Sequence, residues 1–396
     1  MADARRETWI TGVGIVSCLG EGQEAHWQRL NAPPALPDLT TFAPYAVHPL
    51  APIELDKQIP KKGDQRQMEA WQRIGTYAAG LALDSAGGKG NAELLARMDM
   101  IVAAGGGERD EKVDATILSG LPAAERPGAF LNERLMNDLR PTLFLAQLSN
   151  LLAGNISIVH GVTGSSRTFM GEEAAGVDAV RIALARIEAG QSDIALVGGA
   201  YNGERRDLIL LYAFGGHALK DGFAPVWERA AQGGGMALGS LGAFLVLEAR
   251  EHAEARKAKP LARLSKVLSD RSNRQAGATT ATLARMWQAL APSPGRVAVI
   301  SGATGAEPAT ASERDWLATL PGVAVRATGT YLGHGFEPQF AMNIALATLA
   351  LGHEKLFPPA DASGVERDMS APLDQVVVTG VGHWRGEGMA LVEAAR

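Results

Sequence analysis

Short apolar runs ending at or near glycine punctuate the chain at Trp9–Val16, Met100–Ala104, Ile194–Val197, Phe244–Leu247, Val297–Ile300 and Val376–Thr379. Their length and β-branched content predict strands. Between them the period changes. Met68, Trp71, Ile74, Ala78 and Leu81 recur at three- and four-residue steps, one apolar helix face. Ala174–Ala189 is apolar almost all round, broken only by Asp178, Arg181, Arg186 and Glu188, and Phe340–Leu351 has the same character. Both are predicted to be helices buried between layers. Strands alternating with helices predict α/β layering with helices on both sheet faces.

The pattern also echoes itself. Asp193–Ala200 and Gln375–Gly382 both read as strands running into glycine turns, while Met100–Gly107 and Val297–Gly305 each enter a loop of small residues. Duplication of one α/β unit is the inference. The charged, alanine-rich Ala249–Lys259, ahead of Pro260, is the expected join, giving halves at 1–250 and 251–396. The Pro-rich piece Ala32–Pro60 is expected to be a long surface excursion.

Charge narrows the function. With 38 Lys+Arg against 43 Asp+Glu, a net charge of −5, the chain lacks a basic field for gripping phosphate backbones, so no nucleic acid partner is expected. A single cysteine forms neither an internal disulfide nor a cysteine-ligated zinc site, which fits a reducing, cytoplasmic setting. Every long apolar run is interrupted by a charge or Gln, so no membrane span is expected. Met1–Thr8 lacks the pattern of an export signal.

Thr11-Gly-Val-Gly14 invites a dinucleotide-binding reading, but the third glycine falls at Gly20 and no acidic residue closes a second strand at the expected distance. A tight strand-to-loop turn is preferred there. Gly233–Gly239 lacks the Lys-Ser/Thr of a phosphate loop and reads as a close backbone crossing. No histidine pair stands at metal-ligand spacing. Neither a cofactor nor a metal site is expected. His334, flanked by glycines in Tyr331-Leu-Gly-His-Gly335, and the turn between strand-like Arg167–Met170 and the buried helix, with Glu172 and Glu173, are the places of interest. A helix N-terminus favours an anion by about 0.3–1 kcal/mol. A plain helix cap would use the same residue types.

These pieces, in this order, resemble the β-ketoacyl-ACP synthases of the thiolase superfamily over nearly the whole chain. Ile10–Gly20 resembles the family's first strand and loop, Gln65–Glu69 its early helix, and Asn155–Gly161 the approach to its nucleophile strand. Gly190–Ala200, and Pro225–Arg229 followed by Gly239–Glu248, resemble two further signatures. The resemblance implies a thiolase-like fold, a duplicated α/β unit in five layers, αβαβα. It also implies decarboxylative Claisen condensation by a helix-tip Cys with two His and a Lys. Carried over by position, the nucleophile is Glu173, the first His is Thr304, the second is retained as His334, the Lys is Gly329, and the C-terminal gate is His383. Lys62 and Arg66 match basic residues that meet acyl carrier protein, with Gln67 replacing another. Phe169, Phe336 and Trp384 are candidates to fill a substrate tunnel.

The sole thiol, Cys18, lies in the first loop. A glutamate could form only a water-labile anhydride with an acyl group, and losing one oxyanion donor costs about 10²–10³ in rate. Condensation by this chain alone is therefore not expected. The resemblance leaves two functional readings. One is a non-catalytic, chain-length-factor-like partner in fatty acid or related acyl-chain biosynthesis, forming a heterodimer with a Cys-bearing ketosynthase or a homodimer. Gly63–Trp71 is similar to the second ketosynthase-like protein of clusters that make very-long-chain acyl groups for lipid A. The other is a residual enzyme in which Glu173 and His334 decarboxylate malonyl-ACP. That requires a protonated Glu173, because an anion would repel the malonyl carboxylate. A third possibility is purely structural: Glu173 pairs with a neighbouring cation.

Overall fold

A computed structural model of the chain describes residues 5–369 and 372–395. The first half supplies β1 (Thr8–Ser17), β2 (Asp99–Ala103), β3 (Ser166–Phe169), β4 (Ile194–Tyr201) and β5 (Leu241–Ala249). The second supplies β6 (Ala262–Asp270), β7 (Val297–Ser301), β8 (Ala324–Ala327), β9 (Gln375–Val381) and β10 (Glu387–Glu393). Every apolar run named above lies in one of these strands, except that Ala104 falls one residue past the end of β2. The first five lie in the order β1-β5-β4-β2-β3, antiparallel across β5 and parallel from β4 onward. The second five, β6-β10-β9-β7-β8, repeat that order and sense step for step. Among the described residues the two sheets join where Trp9 and Ile10 pair with Arg263 and Ala262, and Leu261 N–H donates to the Ile10 carbonyl. Ala249–Lys259 carries a short helix, Arg250–Ala255, between β5 and β6.

The principal helices are α1 (Ala70–Ser85), α2 (Leu151–His160), α3 (Glu172–Glu188), α4 (Arg206–Phe214), α5 (Ala278–Leu290), α6 (Ala309–Leu317) and α7 (Gln339–Gly352). One core packs α1 and α2 on the outer face of the first sheet, and another packs α5 and α6 on the outer face of the second. Between the sheets lie α3 and α7 in the largest core. That sandwich explains why α7 shows no polar stripe: every residue from Gln339 to Leu351 is buried. The five layers are thus α, β, α, β, α. Among the described residues no helix is long and apolar enough to cross a membrane.

Three expectations are corrected. Thr11–Gly14 is neither a turn nor a cofactor loop, because β1 runs straight through it to Ser17. Its glycines are packing devices: a Cβ on Gly14 would stand 2.1 Å from the Ala78 carbonyl oxygen, so α1 lies directly on the strand. Likewise Gly198, Gly199 and Gly380 sit inside β4 and β9 and are not turn residues. Ala32–Pro60 is not wholly a surface excursion. Val47–His48 pair in parallel with Leu238–Gly239, and Ala46, Val47, His48 and Ile59 are buried.

Candidate functional site

After β3 the chain turns through Gly171 at φ +132° and enters α3 with Glu172 at φ +58°. A side chain in that left-handed region costs about 1–2 kcal/mol, so the turn is held by its surroundings. It leaves Glu172 half-exposed and Glu173 buried. Glu173 Oε1 stands 2.9 Å from His334 Nε2 and 2.9 Å from His383 Nδ1, and accepts the His383 backbone N–H at 3.2 Å. His334 precedes α7 and is fixed by main-chain bonds to Ala237 and Gly239, where the expected backbone crossing is found. His383 lies in the loop between β9 and β10. Phe336 packs edge-on to both imidazoles and stacks on Tyr212, and His217 packs against His383.

Burial alone would raise the Glu173 pKa, but the hydrogen bonds and charges of His334 and His383 hold it well below the usual carboxylate range. Glu173 is therefore an anion. That direction runs against the protonated acid that the decarboxylation reading required. Burial pulls the His383 pKa down, and the bond and charge of Glu173, with the charge of Glu172, more than offset it and raise it. Burial pushes neighbouring Glu337 up to about 7. The cavity bounded by Glu173, His334, Phe336, Gln339 and Phe340 measures about 10 Å³, room for one water. A separate cleft of about 430 Å³ lies on the other side of the helix tip, lined by Phe169, Met170, Arg271 and Arg385 among others.

Glu173, His334 and His383 are thus brought together, whereas Thr304 and Gly329 meet around a different residue. The carbonyls of Thr304 and Gly329 accept from Arg229 Nη1 and Nη2 at 2.6 and 3.2 Å, and the Thr304 hydroxyl accepts from Ala306 N–H. Arg229 is fully buried, and desolvation lowers its pKa to about 9. A lysine at position 329 would put its Cβ 2.9 Å from the Ala303 carbonyl oxygen. Of the tunnel candidates, Phe336 is buried in the site and Phe169 half-buried on β3, but Trp384 is 66% exposed and fills nothing. Cys18 Sγ lies 3.2 Å from the Tyr331 carbonyl, and burial pushes the thiol up to about 12. Lys62 and Arg66 sit exposed on the short helix Lys62–Gln67, where Lys62 pairs with Asp56 at 2.5 Å.

Sequence reasoning missed Arg229, Tyr212 and His217 as parts of this region. Arg229 carried a signal, since it ends the Pro225–Arg229 signature. Tyr212 and His217 carried none, because only the tertiary fold brings α4 and the segment after it to the α3 tip.

Residues 5–253 match the family model described as the β-ketoacyl synthase N-terminal domain. The chain is 26% identical over 270 residues to 3-oxoacyl-[acyl-carrier-protein] synthase 2 of Vibrio cholerae, covering 65% of this chain and 61% of that protein. To the protein of the same name from Rhizobium meliloti it is 28% identical over 274 residues, covering 64% and 62%. The matched region therefore spans about 61–62% of these relatives' length. Among solved structures, the ishigamide ketosynthase/chain length factor superposes with a TM-score of 0.80 at 21% identity, over 99% of this chain and 100% of that one. A β-ketoacyl synthase from Burkholderia phymatum superposes with a TM-score of 0.78 at 19% identity over the same shares. Identities this low speak for the fold alone. With the family model matched over more than half of its length, the chain belongs to the β-ketoacyl synthase family.

Proposed function

We propose that this chain is a non-condensing member of the family that assembles with a Cys-bearing ketosynthase in acyl-chain biosynthesis, in the manner of a chain length factor. One observation carries the reading. At the position where the resemblance puts the acyl-accepting sulfur, an ionised Glu173 is bonded to both nearby imidazoles beside a cavity of about 10 Å³. A carboxylate so held is a poor nucleophile, and the cavity of about 10 Å³ between Glu173, His334 and Phe340 does not hold an acyl chain. The same anion opposes binding and decarboxylation of malonyl-ACP. The outer edge of β3, without a strand neighbour among the described residues, and exposed Ile158, Met170, Leu211 and Phe214 suit a pairing face.

The test incubates the purified chain with labelled acyl-ACP and malonyl-ACP, with and without a candidate Cys-bearing synthase, and follows acyl transfer by intact mass. Expected is no adduct and no carbon dioxide release with the chain alone, and elongation only when both proteins are present. An acyl adduct on this chain, or condensation by it alone, would overturn the proposal.

A further inference from the structure

Three carboxylates converge at the head of α3. Glu173 and Glu337 are buried, Glu172 is half-exposed, and the charges of Glu173 and Glu172 both act on Glu337. His383 stands between two of them. Its Nδ1 lies 2.9 Å from Glu173 Oε1, while its Nε2 faces Glu172 Oε1 at 3.9 Å, beyond hydrogen-bonding distance. One donor atom from each of Glu172, Glu173 and His383 lies within 4.8 Å of the others. Beside them, the Nδ1 of His217 is buried without a hydrogen-bond partner, its ring centroid 4.9 Å from that of His383.

A ring whose Nδ1–H is held by a carboxylate presents the lone pair of its Nε2, and proteins commonly orient metal-binding histidines in this way. Here Nε2 faces a second carboxylate, and a metal ion bound between the two would displace the Nε2 proton. Two donors of a tetrahedral zinc ion, each about 2.0–2.1 Å from the metal, stand about 3.3 Å apart. Half-exposed Glu172 therefore has only a small distance to close. The nearby guanidinium of Arg274 is engaged elsewhere, with Glu387 and the carbonyls of Gly382 and Gly386. The positive end of α3 disfavours a cation, but the Glu172 and Glu173 carboxylates in its first turn oppose that charge.

We propose that the chain binds one divalent transition cation of the zinc class through His383 Nε2 and the Glu172 carboxylate, with Glu173 fixing the His383 ring. Mixed imidazole and carboxylate donors suit zinc, whereas calcium and magnesium take oxygen ligands. The bound ion would tie the loop between β9 and β10, which carries exposed Trp384, to the tip of the central helix. This inference is independent of the partner reading above.

The test titrates full-length, chelator-treated protein with zinc chloride, and separately with magnesium and calcium chloride, by calorimetry and by thermal melting. Expected are one zinc per chain and a raised melting temperature with zinc alone. Glu172→Gln and His383→Ala should each weaken zinc binding at least about tenfold, and Glu173→Gln by about 10–100-fold. His353→Ala, at an exposed ring stacked on Trp27, should leave it unchanged. If His383→Ala fails to fold, Glu172→Gln still decides, since that side chain is half-exposed. Absence of stoichiometric zinc binding, full-strength binding in the Glu172 variant, or equal binding of magnesium or calcium would overturn the proposal.

Discussion

At residue 173 the choice of atom decides the chemistry. A carboxylate that accepts from His334 Nε2, His383 Nδ1 and His383 N–H is locked by three donors. Breaking a buried ion pair from one side leaves the other charge uncompensated, so Glu173→Ala should destabilise the protein by about 3–5 kcal/mol in urea unfolding. Placing a sulfur there should not confer acylation. Glu173→Cys should remain unmodified by acyl-ACP in intact-mass measurements, because the adjoining cavity of about 10 Å³ gains only the volume freed by the shorter side chain. A second residue-scale prediction concerns pH. Glu366, whose oxygens accept from Ala327 and Ala360 N–H at 2.7 and 2.8 Å, is pushed by burial from 4.5 up to about 7. Its folded-state pKa lies above its unfolded one, so its contribution is full below the unfolded value and is lost as pH rises through about 7. The loss is on the order of 3 kcal/mol. Urea unfolding near pH 4.5 and at mildly alkaline pH should show that fall, and Glu366→Gln should flatten it.

Glycine placement is the clearest lesson at the scale of elements. A Cβ on Gly198, inside β4, would stand 2.0 Å from the Ala243 carbonyl oxygen on the neighbouring strand. Gly198→Ala should therefore cost roughly 1–3 kcal/mol by overpacking, read as a lower melting temperature with an unchanged circular dichroism spectrum. The same residue shows where the sequence is ambiguous. Periodicity made the strands legible, and the absence of a polar stripe marked α3 and α7 as central, since both follow from burial. A glycine after an apolar run is equally compatible with a turn and with a strand touched by other backbone, and only the tertiary neighbour separates the two. The site divides in the same way. Glu173 and His334 were legible because each heads a buried helix in a resembling motif. That Thr304 and Gly329 would gather around Arg229, and that His383 would bind Glu173, depended on loops whose paths no period encodes.

Assembly belongs to the whole molecule, and β3 is one of the two terminal strands of the sheet path. Its outer side has no strand neighbour among the described residues. Exposed Phe214 (89%), Ile158 (70%) and Met170 (65%) are the kind of apolar surface a partner would cover. The carbonyls of Ser165 and Phe169 face β2, accepting from Met100 and Ala104. By the alternation of a strand, Thr168 then directs its N–H to the open side. Proline at that position removes an edge donor while leaving the ladder to β2 intact. Thr168→Pro should therefore keep the monomer's melting temperature close to that of the parent while lowering the assembled fraction, with itself or with a Cys-bearing ketosynthase, at least about tenfold in sedimentation experiments. Each additional donor lost from the edge should weaken pairing further, since a two-strand union draws its register from alternate N–H and C=O groups. If the variant assembles like the parent, pairing does not run through β3, and the complementary face must be sought on exposed α4, where Leu210 and Leu211 remain uncovered.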